Sequence, residues 1–221
     1  MNHVESIKSK IDIYRLYQVL KERSVRDYLF FKFAIHTGIR LTDLLNMTVK
    51  QLKSQKKGNI RTSWIVEYEP TIKVKIPDDL LQEMKDYIEE LRLEDEDFTF
   101  RSTRTHQCLS RQQAYRIVHH AAERLDLHHA AERLDLHHAA ERLDLHHAAE
   151  RLDLHHAAER LDLQHVGLTT LRKTFAYHAF QSGISISIIQ KYLGHQTIQE
   201  TKKFIGLTNQ LKHHTIIALD L

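Results

Sequence analysis

The stretch LTTLRKTFAYHAFQSGISISIIQKYLGHQTIQETKKFIG, residues 168–206, decides the fold. Its apolar residues recur at helical intervals, and glycines divide the stretch. Gly183 is placed to end one helix, and Gly194 with His195 to close the next. The stretch therefore predicts helices over Leu171–Gln181, Ser185–Tyr192 and Gln199–Ile205.

A second stretch, HTGIRLTDLLNMT at residues 36–48, lies far upstream. A tight Thr-Gly turn places Arg40 at the start of a helix, with Asp43 one turn further on, where its carboxylate can orient the guanidinium. The helix dipole disfavours a cation at the N-terminus of a helix. The position of Arg40 is favourable if the arginine and the helix N-terminus both face an anion such as a phosphate. Taken alone, the motif is equally consistent with a surface Arg–Asp pair.

Patterning elsewhere predicts a mainly α-helical chain with one small β-element. The predicted helices are Ile13–Glu22, Arg26–His36, Leu41–Leu45, Asp78–Leu91, Ser110–Leu163 and Asn209–Ala218, and the predicted strands are Thr62–Tyr68 and Lys73–Ile76.

Arg40, Arg172 and His195 stand in separate helical segments and could converge on one phosphate, each neutralising a non-bridging oxygen. Taken by itself, His195 is more simply interpreted as a residue at the C-terminal cap of a helix. Together these residues resemble the catalytic domain of the tyrosine recombinase (phage integrase) family. TGIRLTDLL is similar to its first arginine box, LRKTFAYHAFQSG to its second and LGHQTIQETKKFIG to its third.

The resemblance implies a reaction in which a tyrosine attacks a phosphate of duplex DNA and forms a 3′-phosphotyrosyl link, with no metal and no cofactor. It also implies that Arg40, Arg172 and His195 bind the phosphate, with Asp43 behind the first arginine. A lysine on a β-hairpin acts as general acid, and a histidine precedes the second arginine by three residues. DNA contacts are further expected from Lys173 and Lys75.

Three positions depart from the family's pattern. Phe204 stands nine residues after His195, where the nucleophile belongs, and its ring has no oxygen to attack phosphorus. Thr169 replaces the assisting histidine and cannot shuttle a proton at neutral pH. The hairpin lysine corresponds to Glu69 or, in another register, to Lys73. The sequence therefore predicts a phosphate-binding site without a nucleophile.

Composition narrows the class of protein. The net charge is only +3, but the five repeats described below carry −5, and the resulting surplus of +8 on the other 176 residues suits a polyanionic partner. Cys108, the only cysteine, excludes a disulfide within the chain and a cysteine metal cluster. No apolar run approaches the roughly 20 residues that span a bilayer. These observations predict a cytoplasmic protein without membrane contact or metal.

The segment HHAAERLDL occurs five times in succession from His119 to Leu163. It predicts a long helical insertion that divides one catalytic domain into residues 1–118 and 164–221, with the repeat at 119–163. Its histidines lack the i, i+4 spacing of helical zinc sites. Four added copies would lengthen a continuous helix by roughly 54 Å, so Arg40 and Arg172 are expected to meet only between chains, in a domain-swapped homo-oligomer.

Three functions remain open at this stage. The chain is an integrase-family protein of DNA integration and site-specific recombination, inactive because of Phe204. Alternatively, it is a non-catalytic DNA-binding regulator or architectural factor. In the third interpretation the repeat helix is the selected feature, and the protein is an assembly module.

Overall fold

The computed structural model describes residues 4–53, 60–66, 71–125 and 166–207. These residues form nine helices and two strands. The elements are α1 (Lys10–Arg23), α2 (Val25–Thr37), α3 (Leu41–Leu45), α4 (Val49–Leu52), β1 (Ser63–Val66), β2 (Ile72–Lys75), α5 (Asp78–Glu90), α6 (helical over 111–125), α7 (Leu168–Gln181), α8 (Ile186–Leu193) and α9 (Ile198–Ile205). The mainly α-helical fold with a small antiparallel sheet is confirmed.

Local hydrogen bonds fix where the early helices begin. The Ser9 and Ser24 hydroxyls accept from backbone N–H groups in the first turns of α1 and α2. Thr48 and Gln51 exchange bonds in a capping box that starts α4. The sequence pattern misses α4 because four residues are too few to show a helical period.

Helix α2 lies at the centre of the larger core. Phe30, Phe31 and Phe33 are fully buried, and α1, α5 and α7 pack around them. Because residues on successive sides of α2 are all buried, the helix lacks a polar face. The position of α2 therefore determines where α7, which carries Arg172, can lie.

One charge is buried within α2. The Lys32 ammonium donates to Asp79 and Glu83 of α5, each at 2.7 Å, and to the Tyr28 hydroxyl at 3.0 Å. Burial lowers the pKa of Lys32, but these hydrogen bonds raise it by more, so the net shift is upward. The hydrogen bond from Lys32 lowers the pKa of Asp79. The cluster joins α2 to the first turns of α5.

A smaller apolar cluster joins α7, α8 and α9, and includes Ala176, Ile189, Tyr192 and Ile205. Ile72 and Val74 of β2 pack on its edge, since they alternate with the exposed residues Lys73 and Lys75. The sheet therefore turns one face towards the helices and the other, with both lysines, outwards.

The N-terminal segment, residues 4–9, runs along α7. The Ile7 N–H donates to the Thr174 hydroxyl at 2.9 Å, and His178 Nε2 donates to the Ile7 carbonyl at 2.9 Å. The Ile7 side chain is fully buried. The first described residues and α7 therefore form one packed unit.

Several predicted boundaries differ from those in the structure. The first strand begins at Ser63, one residue after Thr62, and positions 67 and 68 of the prediction lie outside the described residues. The second strand begins and ends one residue before Lys73–Ile76. The helix predicted over Ser110–Leu163 is present over 111–125, while its remainder and Asn209–Ala218 lie outside the described residues. Within the described ranges no helix combines the length and apolar character needed to cross a bilayer.

Candidate functional site

Three arginines line one cavity of about 180 Å³ between α3, α6 and α7. Arg40 comes from the start of α3, Arg111 from the start of α6 and Arg172 from α7. The other lining residues are Ala34, Ile39, Leu41, Leu44, Leu168, Thr169, Leu171 and Phe204. The cavity thus combines a mostly apolar wall with cationic side chains from three separate parts of the chain.

Arg172 is held by backbone carbonyls. Its Nε donates to Gly38 at 3.0 Å and its Nη2 to Leu193 at 3.2 Å. Gly38 caps α2 with a φ of 62°, and a Cβ there would lie 2.2 Å from the Phe175 ring. Only glycine combines this backbone with this close approach. The ends of α2 and α8 therefore fix the guanidinium beside the cavity.

The Arg40 side chain is exposed and forms no hydrogen bond or ion pair with any residue of the described ranges. Asp43 forms no hydrogen bond or ion pair with the Arg40 guanidinium in this structure, so its role behind the arginine stays a prediction. Asp43 accepts a weak hydrogen bond from the Thr42 hydroxyl at 3.4 Å and lines a separate groove. Arg40 is the N-cap of α3 with an extended backbone, and its side chain makes no cap hydrogen bond.

Arg111 is the residue that the sequence interpretation missed. It is exposed and stands at the first position of α6, after Ser110. Ser110 and Gln113 cap this helix reciprocally, at 2.8 and 3.1 Å. The S-x-x-Q pattern is a readable capping box, so it could have marked Arg111 as a second arginine at a helix start.

His195 contacts Phe204, which lines the cavity. Its ring centroid lies 5.0 Å from that of Phe204. Its Nδ1 lies 3.0 Å from the Thr201 hydroxyl, which itself donates to the Thr197 carbonyl. The hydroxyl therefore accepts from Nδ1–H, and Nε2 carries the lone pair of the neutral ring.

Electrostatics favour the neutral form of His195. Burial lowers its pKa below 6.5, Glu200 acts in the opposite direction, and Arg172 lowers the pKa further. At neutral pH the imidazole is consequently a proton acceptor rather than an additional positive charge.

Lys173 does not line the cavity. Its ammonium donates to the Val4 carbonyl at 2.6 Å and lies 5.4 Å from the centroid of the Phe204 ring. Burial lowers the pKa of Lys173. The ammonium group has three N–H donors, of which one bonds the Val4 carbonyl, so the direct contact of Lys173 with DNA stays a prediction.

The hairpin lysines lie apart from the arginine cavity. Lys73 and Lys75 are exposed on β2, and the Lys75 ammonium is 3.6 Å from the Asp78 carboxylate. Glu69 lies outside the described residues, so the identity of the hairpin general acid position stays a prediction. Thr169 is exposed and lines the cavity, where it offers a hydroxyl but no imidazole.

The cavity is complete within one chain. Arg172 bonds Gly38 of the same chain across 134 residues, although the repeat separates them in sequence. In this structure Arg40 and Arg172 line one cavity of a single chain, with α7 packed directly on α2, so the site forms without an exchange of chains; the homo-oligomer stays a prediction. Among the described residues no three His, Cys, Asp or Glu side chains converge as metal ligands.

Comparison with known proteins agrees with this architecture. The model of the phage integrase family matches residues 9–143 and 142–210. The curated protein "Probable integrase/recombinase YoeC" of Bacillus subtilis (strain 168) is 29% identical over 209 residues, which cover 94% of this chain and 92% of that protein.

Among solved structures, XerA recombinase superposes with a TM-score of 0.60 at 16% identity, over 96% of this chain and 65% of the XerA chain. The Tn1549 transposon integrase in complex with transposon right end DNA gives a TM-score of 0.58 at 11% identity, over 93% of this chain and 65% of its own. The chain thus spans about two thirds of these structures and shares their fold. With the family match over nearly its whole length, the chain belongs to the phage integrase family, which confirms the resemblance in the sequence.

Proposed function

We propose that this chain is a DNA-binding protein of site-specific recombination and DNA integration that holds one backbone phosphate in the arginine cavity. The observation that carries the proposal is the convergence of Arg40, Arg111 and Arg172 on a single cavity. Three like charges side by side repel one another in the unliganded protein. An anion that bridges them removes this repulsion.

The arginines differ in what they contribute. Arg172 is fixed by the Gly38 and Leu193 carbonyls, so its geometry is set before any ligand arrives. Arg40 and Arg111 are exposed and have no partner in the described part of the chain. Their planar guanidinium groups can bind two phosphate oxygens at once.

Duplex DNA is the source of phosphate favoured by the relatives. XerH recombinase was solved bound to a palindromic difH substrate, and the Tn1549 integrase with transposon right end DNA. DNA binding of this kind depends steeply on salt, because each neutralised phosphate releases counterions.

We also propose that the chain as it stands binds DNA without cleaving it. Phe204 lines the cavity beside His195, at the position where the family's nucleophile belongs, and its side chain has no atom that can attack phosphorus. Thr169 adds no proton acceptor that works at neutral pH. The site therefore retains the groups that bind a phosphate and lacks those that react with it.

The test is duplex binding by Arg40→Ala and Arg111→Ala, measured by fluorescence anisotropy over a range of salt concentrations. Both side chains are exposed and unbonded in the described structure, so their loss should not unfold the protein. Each variant should bind about tenfold more weakly, and the slope of log K against log salt should fall by about one.

Arg104→Ala is the matched control, since Arg104 is equally exposed and lies outside the cavity lining. It should bind duplex DNA within about twofold of the parent protein, as expected for one distant charge. Equal affinity of all four proteins at low salt would overturn the proposed function.

A further inference from the structure

Helix α3 lines two different sites with its two sides. Arg40, Leu41 and Leu44 face the arginine cavity. Thr42, Asp43 and Asn46 line a second, open groove of about 430 Å³. This volume lies in the range of small-molecule sites. Nothing in the phosphate-binding role accounts for the second groove.

The far wall of the groove comes from α4, β1 and the segment before β1, and includes Gln51, Arg61, Trp64 and Ile65. Trp64 packs its inner side on Phe33, with ring centroids 6.0 Å apart. Its remaining surface is partly exposed and borders the groove. The groove therefore offers an aromatic wall, on which a flat ring can lie, among polar side chains.

The two charges of the groove are available to a ligand. Arg61 uses Nε to bond the Lys53 carbonyl at 3.1 Å, so its two terminal amino groups have no partner among the described residues. The Asp43 side chain is exposed and, within the described ranges, accepts a hydrogen bond only from Thr42. Asp43 and Arg61 line the same groove and form no ion pair with each other. A ligand with both donors and acceptors can satisfy both.

We propose that this groove binds a guanine base. Guanine presents O6 and N7 as acceptors, the pattern that a guanidinium group recognises through two hydrogen bonds. Its adjacent N1–H and N2–H donors suit a carboxylate, and its ring can lie against Trp64. Adenine has an amino donor where guanine has O6, so it would direct N–H towards the N–H groups of Arg61. A second phosphate is disfavoured because Asp43 would repel it.

The source of the base rests on the proposed function. The width of α3 separates the groove from the arginine cavity by about 10 Å, which corresponds to about three base steps of duplex DNA. A strand whose phosphate lies at Arg40 can therefore bring a nearby guanine to the groove where that base is unpaired, because in a duplex its N1–H and N2–H bond the opposite cytosine. A free guanine nucleotide has the same chemistry and is the other source.

Trp64 is the only tryptophan in the chain, so its fluorescence reports directly on the groove. The experiment titrates the full-length protein with guanosine and with adenosine. Neither nucleoside carries a phosphate, and neither requires the arginine cavity. Guanosine should change the emission saturably and bind at least fivefold more tightly than adenosine. No saturable change with guanosine, or equal affinity for both nucleosides, would overturn the proposal.

Two variants locate the binding. Asp43→Asn and Arg61→Gln should each weaken guanosine binding at least fivefold. Asp86→Asn removes the same charge from an exposed position on α5 and should leave the affinity unchanged. Unaltered affinity in both groove variants would overturn the assignment to this groove.

A second arm separates this proposal from the proposed function. A guanine-containing oligonucleotide should change Trp64 emission more than one of adenine and thymine only, which supports DNA as the source. A response to guanosine alone retains the site and assigns it to free nucleotides. If Arg40→Ala weakens duplex binding while guanosine has no effect, the guanine site fails and the phosphate site stands. If guanosine binds while Arg40→Ala and Arg111→Ala bind duplex DNA normally, the phosphate site fails and the guanine site stands.

Discussion

Phe204 lies in the cavity wall with its ring centroid 5.0 Å from that of His195 and 5.4 Å from the Lys173 ammonium. A tyrosine has nearly the same shape, so the surroundings can accept the additional hydroxyl at low energetic cost. The neutral His195 ring beside it is a proton acceptor. At the scale of the residue, a single oxygen atom distinguishes this site from one that could form a covalent bond to phosphorus.

We therefore expect Phe204→Tyr to form a trace of covalent protein–DNA adduct on a suicide substrate, while the parent chain forms none. The yield should stay low, since the absence of an imidazole at Thr169 is expected to reduce proton transfer by about 10²- to 10⁴-fold. Denaturing gel electrophoresis detects the adduct. An adduct from the parent chain would show that another nucleophile operates. The control is Phe204→Leu, which changes the side chain without adding a hydroxyl and should form no adduct.

The sequence identified Arg40, Arg172 and Phe204, and the structure places all three on one cavity. It did not anticipate the directions of Asp43 and Lys173. Asp43 lines the second groove and not the arginine cavity. Lys173 turns to Val4, which is 169 residues distant in sequence. Motif spacing records which residues are near one another in the chain, whereas these directions depend on backbone angles and on distant contacts.

At the scale of elements, caps and glycines predicted most helices well, because those signals are local. Gly38, Gly194 and Gly206 each end a helix with positive φ. The N-terminal segment was not foreseen, since an extended stretch of six residues shows no helical period. Its partners, Thr174 and His178, lie in α7. Long-range pairing of this kind leaves no pattern in a single sequence.

Ile7 tests how much this segment stabilises the fold. Ile7→Ala should lower the free energy of unfolding by about 2–5 kcal/mol, because it removes a fully buried side chain and leaves a void. Ile11→Ala, at a position 64% exposed in α1, is the control and should change it by less than about 0.5 kcal/mol. Urea unfolding measures both. Similar losses for the two variants would mean that the segment is not packed on α7.

At the scale of the whole molecule, the repeat separates parts of the chain that nevertheless meet. Arg172 and Gly38 are 134 residues apart in sequence, of which four copies of HHAAERLDL contribute 36. For a flexible connection, that additional length raises the entropic cost of closing the loop by only about 0.3 kcal/mol. Expansion of the repeat therefore destabilises the contacts around the cavity only slightly, so one chain can contain both the repeat and the cavity.

A chain with a single HHAAERLDL should consequently bind duplex DNA within about threefold of the chain with five, because all three arginines of the cavity belong to one chain. Light scattering on both proteins shows separately whether the repeat promotes association. A dimer that becomes a monomer on deletion would assign assembly to the repeat. A loss of DNA affinity above about tenfold on deletion would contradict the independence of the cavity.

The N-terminal segment also sets an order of events during synthesis. Its hydrogen-bond partners in α7 follow it by 167 to 171 residues. At typical rates of translation, residues 4–9 are made roughly ten to thirty seconds before α7. During that interval Ile7 has no apolar surface of α7 to cover it, and it is accessible to chaperones and proteases on the ribosome. Residues 4–9 therefore wait for their native contacts until α7 has been made.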